Sequence, residues 1–123
     1  MTTPDRKTDE RKVALVVEDE ALVRMNACDM LDDMGFFVID AADGVEALSI
    51  LEARPDVALM FTDCRMPRMT GPELARTASM RWPSLKIVLA TAYQDMPKPR
   101  WPLIKKPYNA RVLEQAIRES MAA

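Results

Sequence analysis

A chain of 123 residues has room for one domain with a sizeable core, and its 49% hydrophobic and 29% charged residues are ordinary for a globular protein. A net charge of −2 gives no reason to expect nucleic acid or an anionic membrane as a partner. The absence of histidine excludes Ser–His–Asp chemistry and His-ligated zinc, and the two cysteines, Cys28 and Cys64, match no zinc or CxxC spacing. No apolar run approaches the roughly 18–20 residues that span a bilayer. The polar start, Met1 to Lys12, is unlike a signal peptide, so the chain is expected to be cytoplasmic.

Residues 1–11 read as a disordered, charged lead-in, and 12–123 as a single domain. Val13–Val17 is a continuous apolar run, the signature of a strand buried on both faces, and it ends on Glu18-Asp19-Glu20. A helix follows, with Ala21, Leu22, Met25, Cys28, Leu31 and Met34 as its apolar face and Gly35 as its C′ residue. Cys28 is read as a small core residue. Phe36–Ile39 makes the next strand. Asp43-Gly44 is a turn signal, and Val45, Leu48 and Leu51 form one face of a helix that ends before Pro55.

The run Val57–Thr62 carries no charge and ends on Asp63. Asp63 is either a turn residue or a group placed where open α/β sheets bind ligands, beyond the carboxyl ends of their strands. Pro72 suits the first turn of a third helix, with Leu74, Ala75, Ala78 and Trp82 on one face. Lys86–Ala90 is a strand ending on Thr91. Ala92–Pro102 holds Pro97, Pro99 and Pro102 and has no helical period. Leu103-Ile104 is a short fifth strand before Lys105-Lys106-Pro107. The last helix starts at about Asn109, with Val112, Leu113, Ala116 and Ile117 as its apolar face. Alternation of this kind predicts a parallel sheet with helices on both faces.

Four of the five strands then bring their chemistry to one rim: Glu18 and Asp19, Asp63, Thr91 and Lys106. Converging carboxylates need a cation between them, and Mg²⁺, a hard ion that keeps several waters, suits the set. A carboxylate nucleophile, a metal, a hydroxyl and a lysine are what phosphoryl transfer to aspartate requires.

Val16-Val17-Glu18-Asp19-Glu20, Thr62-Asp63-Cys64-Arg65-Met66-Pro67, Leu89-Ala90-Thr91-Ala92 and Lys106-Pro107 resemble the four signatures of the receiver domain of two-component response regulators. The resemblance spans Val13 to about Ser120. It implies a flavodoxin-like (CheY-like) three-layer fold with a five-stranded parallel sheet in the order 2-1-3-4-5. It also implies that Asp63 accepts a phosphoryl group from the phosphohistidine of a sensor histidine kinase or phosphotransfer protein. Asp19 would ligate Mg²⁺, with Glu18 acting directly or through water and the backbone carbonyl of Arg65 adding a ligand. Thr91 would bond a phosphoryl oxygen, and Lys106, joined to Pro107 by a cis bond, would pair with the phosphoryl charge. No enzymatic activity is implied beyond Mg²⁺-dependent self-phosphorylation from a phosphodonor and autodephosphorylation.

Two departures from the family stand out. Only fourteen residues, 92–105, separate Thr91 from Lys106, so the usual fourth helix, between the Thr-bearing strand and the last strand, is expected to be missing or reduced to one turn. The family's switch aromatic, three residues before the lysine, is replaced by Leu103. Leu89-Ala90-Thr91-Ala92-Tyr93 resembles the Phe-Ala-Thr-Gly-x-Tyr-like motif of a divergent receiver subgroup, which makes Tyr93 a candidate replacement for the switch alongside Thr91. On that reading phosphorylation orders Ala92–Pro102. The expected output is phosphorylation-dependent contact with an unidentified downstream protein. A stand-alone receiver without an output domain is expected, with a receiver cut from a larger hybrid kinase or regulator, or a degenerate, phosphorylation-independent binding module, as the alternatives. A flavodoxin-like cofactor binder is disfavoured because Glu18-Asp19-Glu20 would repel a phosphate, and a haloacid-dehalogenase-type phosphatase because Arg65 stands where a second Asp is required.

Overall fold

A computed structural model of the chain describes residues 10–92 and 99–122. Five parallel strands, β1 (Val13–Val17), β2 (Phe37–Ala41), β3 (Val57–Asp63), β4 (Lys86–Thr91) and β5 (Leu103–Lys105), lie in the order β2-β1-β3-β4-β5. The helices are α1 (Ala21–Asp33), α2 (Gly44–Ala53), α3 (Gly71–Arg81) and α4 (Ala110–Ala122). The architecture is the flavodoxin-like, CheY-like one expected from the sequence.

Strand residues alternate between two cores. Leu15, Val17, Met60, Ile87 and Leu89 pack with Ala47 and Leu51 of α2 and Leu74, Ala75 and Ala78 of α3. Ala14, Val16, Phe61, Val88 and Ile104 pack on the other face with Ala27 and Leu31 of α1 and Leu113, Ala116 and Ile117 of α4. The register slips once, where Val13 pairs with Val57 but Ala14 with Leu59, so Ala58 is an extra residue on β3. That slip lets Val57 and Met60 belong to the same core despite their odd spacing.

Gly35 is the C′ residue of α1, at φ 100°. Its N–H donates to the carbonyl of Asp32 and that of Phe36 to Leu31, a Schellman arrangement that satisfies the last carbonyls of the helix. At the other helix ends, Asp43 caps α2, and Thr70 and Glu73 form a reciprocal capping box on α3. Asn109 Oδ1 accepts from the N–H of Val112 at the start of α4.

Three apolar faces differ from the sequence reading. In α1 the buried residues are Ala27 and Leu31, while Leu22 and Met25 are 75% and 58% exposed. Apolar residues occur at almost every phase of this helix, and Leu31, expected inward, is joined in the core by Ala27. Val45 of α2 and Val112 of α4 are likewise exposed, and Ala47 and Ser120 take the inward positions. The fourth helix of the chain, α4, follows β5. Between β4 and β5, where the sequence reading removes a helix, the described residues 92 and 99–102 form none. Half-buried Trp101 and Leu103 pack there against the α2–α3 core. Tyr93, most of the stretch expected to order on phosphorylation, and residues 1–9 of the expected lead-in lie outside the described residues.

Candidate functional site

The site is assembled by backbone pairing before any side chain acts. Val17 is in register with Thr62, and Asp63 with Ala90, so the residues that follow β1 and end β3 emerge side by side. The N–H of Glu18 donates to the carbonyl of Ala41 at 3.1 Å, and that of Cys64 to Ala90 at 2.9 Å. The N–H of Lys106 donates to the carbonyl of Thr91 at 2.8 Å, which brings the lysine to the same rim. The Lys106–Pro107 bond is cis.

One carboxylate oxygen each from Glu18, Asp19 and Asp63 lie within 4.8 Å of one another. Glu18, Asp63 and Thr91 are buried, and Asp19 is exposed. The ammonium of Lys106 donates to Glu18 Oε1 at 3.0 Å and stands 3.1 Å from Asp63 Oδ1. Glu18 Oε2 accepts the N–H of Glu20 at 3.2 Å. Burial raises the pKa of Glu18, with the charge of Asp63 adding to it, against the bonds from Lys106 and the Glu20 N–H. Asp63 is raised in the same way, by burial first and by Asp19, despite Lys106. For Lys106 burial works against its charge, but the bonds to Glu18 and Asp63 outweigh it and its pKa rises. Glu18 and Asp63 thus share one ammonium, with the Asp19 carboxylate beside them. An all-oxygen cluster short of positive charge is the donor set a hard divalent cation takes.

The loop after Asp63 closes tightly. Gly71, the first residue of α3, donates its N–H to the carbonyl of Cys64 at 2.9 Å. A Cβ there would lie 2.3 Å from the carbonyl oxygen of Asp63 and 2.9 Å from Cys64 Cα, so only glycine fits. Arg65 is exposed within this loop. Arg68 sits in the left-handed region at φ 71° and pairs with Asp43, the cap of α2. Burial, reinforced by Asp63, pushes the Cys64 thiol up to about 11, which keeps it protonated at neutral pH and unsuited to nucleophilic attack.

The structure thus brings Glu18, Asp19, Asp63 and Lys106 together, with Thr91 at the adjoining strand end and Arg65 in the following loop. Leu103 is apart from them, half-buried and paired with Leu89 at the start of β5. Two residues escaped the sequence reading. Tyr108 packs edge-on against Phe61, ring centroids 5.4 Å apart, and burial lifts its phenol to about 12. Arg24 donates to the carbonyl of Glu18. Its signal was a lone arginine at the spacing of Ala27 and Leu31 on an inward-facing stripe.

Fold and site define a doubly wound α/β protein with an acidic rim at the carboxyl ends of its strands. The profile of the response regulator receiver domain matches residues 14–118, and the chain belongs to this family. The sensor kinase CckA of Brucella abortus is 32% identical over 115 residues, which are 87% of this chain and 12% of that protein. The response regulator receiver protein CpdR of the same organism is 32% identical over 119 residues, 91% of this chain and 98% of that protein. The chain therefore spans about an eighth of the kinase but nearly all of CpdR. Among solved structures, a response regulator receiver protein from Sinorhizobium medicae superposes with a TM-score of 0.83 at 24% identity, covering 93% of this chain and 97% of that one. No described helix is long and apolar enough to cross a membrane.

Proposed function

We propose that this receiver takes a phosphoryl group onto Asp63 from the phosphohistidine of a sensor kinase or phosphotransfer protein, and that the phosphorylated domain signals by contact with another protein. The observation that carries the reading is the convergence of Glu18, Asp19 and Asp63 on one another, with Glu18 and Asp63 both paired with Lys106, at the rim where such folds bind ligands. Membership of the receiver family and the similarity to CckA and CpdR support it.

In the transfer, an Asp63 carboxylate oxygen forms the new O–P bond while the N–P bond of the phosphohistidine breaks and its electron pair returns to the imidazole. Mg²⁺ is the metal whose chemistry suits the site, and Glu18, Asp19, Asp63 and the carbonyl of Arg65 would hold it. When bound it offsets the repulsion between carboxylates and incoming phosphoryl oxygens. Lys106, already against Asp63, neutralises the charge that arrives on the phosphoryl group. The Thr91 hydroxyl donates to a phosphoryl oxygen. Burial keeps these groups in a low-dielectric setting, where fixed charges act more strongly than in water.

The test is intact mass after incubation with Mg²⁺ and a small-molecule phosphodonor. Wild type gains one phosphoryl group, and Asp63→Asn and metal-free wild type gain none. An adduct that survives Asp63→Asn, or none on wild type, overturns the assignment; the second result would leave a phosphorylation-independent binding module.

A further inference from the structure

Arg24 lies three residues before buried Ala27 and seven before buried Leu31, on the side of α1 that faces the sheet. Its guanidinium bonds in two directions. Nη1 donates to the backbone carbonyl of Glu18 at 2.7 Å, and Nε donates to Asp40 Oδ2 at 2.9 Å. The Arg24 side chain is 22% exposed and that of Asp40 53%. Asp40 stands in register with Val16, one strand over. One planar group therefore joins α1, the end of β1 and the edge strand β2.

The consequence falls on the acidic loop. Glu18 already gives its N–H to Ala41 of β2, and Arg24 takes its carbonyl, so the peptide planes on both sides of Glu18 are fixed. The second of these planes, between Glu18 and Asp19, sets the direction in which Asp19 leaves the strand. We propose that Arg24 is a positioning residue for the acidic cluster: through its pair with Asp40 it orients the Glu18–Asp19 peptide and so sets the affinity of Glu18, Asp19 and Asp63 for Mg²⁺. The inference rests on the metal-site reading given above and adds a residue that touches neither metal nor phosphoryl group.

Charge and geometry make opposite predictions for Arg24. A cation bonded to the loop opposes Mg²⁺ by its charge alone, so removing it would tighten binding. Loss of an outer-shell group that orients ligands weakens binding, typically 10–100-fold. Lysine keeps the charge but not the rigid fork that makes both bonds at once.

The experiment titrates Mg²⁺ by calorimetry into wild type, Arg24→Gln, Arg24→Lys, Asp40→Asn and the Arg24→Gln/Asp40→Asn double variant, with thermal unfolding of each in the absence of metal. Positioning predicts a Kd weakened about 10-fold in Arg24→Gln, with Arg24→Lys between it and wild type. It also predicts that Asp40→Asn costs affinity in the wild-type background and none in the Arg24→Gln background. Should Arg24→Gln not fold, Arg24→Lys and Asp40→Asn carry the comparison. A tighter or unchanged Kd in the Arg24 variants, a lowered Tm with unchanged Kd, or an equal effect of Asp40→Asn in both backgrounds overturns the inference and leaves the metal site standing. No saturable Mg²⁺ binding by wild type overturns the metal-site reading, and this inference with it.

Discussion

Through the middle of the sheet β1, β3 and β4 bury Leu15, Val16, Met60, Val88 and Leu89 on both faces, whereas at one rim the same strands give way to Glu18, Asp63 and Thr91. Both regions are buried, yet burial acts on them with opposite sign. It stabilises the aliphatic interior at about 25 cal/mol per Å² of apolar surface. At the rim it penalises charge, which is why Glu18 and Asp63 hold their protons more tightly than free carboxylates do. The interior holds the fold together, and the rim keeps groups that the fold tolerates for their chemistry.

Substitutions can break this contrast from either side. Leu113→Ala, in the α1–α4 core, should cost about 3 kcal/mol of unfolding free energy by chemical denaturation and leave Mg²⁺ affinity near the wild-type value. Gly71→Ala should cost roughly 2 kcal/mol from overpacking and, unlike Leu113→Ala, should also slow phosphorylation, because the new methyl group displaces the backbone of Asp63 itself. Equal phosphorylation rates in the two variants would erase the distinction between interior and rim.

Asp63→Asn should raise the stability of the metal-free protein, with a characteristic pH dependence. The folded-state pKa lies above the ordinary 3.8, so the native protein keeps a proton that the unfolded chain has released. The stability linked to that proton is fully present below pH 3.8 and is lost as the pH rises through the native value. The advantage of Asp63→Asn over wild type should therefore grow from acidic to neutral pH in denaturant titrations, and a constant gap would contradict it. Smallest is the surface pair Arg81–Glu52 between α3 and α2: Arg81→Ala should change stability by no more than about 0.5 kcal/mol, an effect that shrinks further with added salt.

The sequence displayed most of the fold because buried parallel strands are continuous apolar runs, which Val13–Val17 and Val57–Thr62 are without ambiguity. The rim was legible for the same reason, since the charge that ends each run falls at a strand terminus. The inward face of α1 was legible only at Leu31, because Leu22 and Met25 compete with Ala27 for the inward positions and periodicity does not choose between them. The extra residue at Ala58 and the left-handed Arg68 are set by register and by a partner distant in sequence, Asp43 for Arg68, which local pattern does not record.

The bond from Gly71 to Cys64 has a consequence for engineering. It pins together the two ends of a six-residue hoop, 65–70, through backbone groups alone. Chain entropy opposes lengthening such a loop only weakly, by about 0.6 kcal/mol per doubling. The segment is thus a cassette in part: Met66, buried in the core, and Thr70, which caps α3, stay, while exposed Arg65 and Pro67 can be exchanged with both anchors in place.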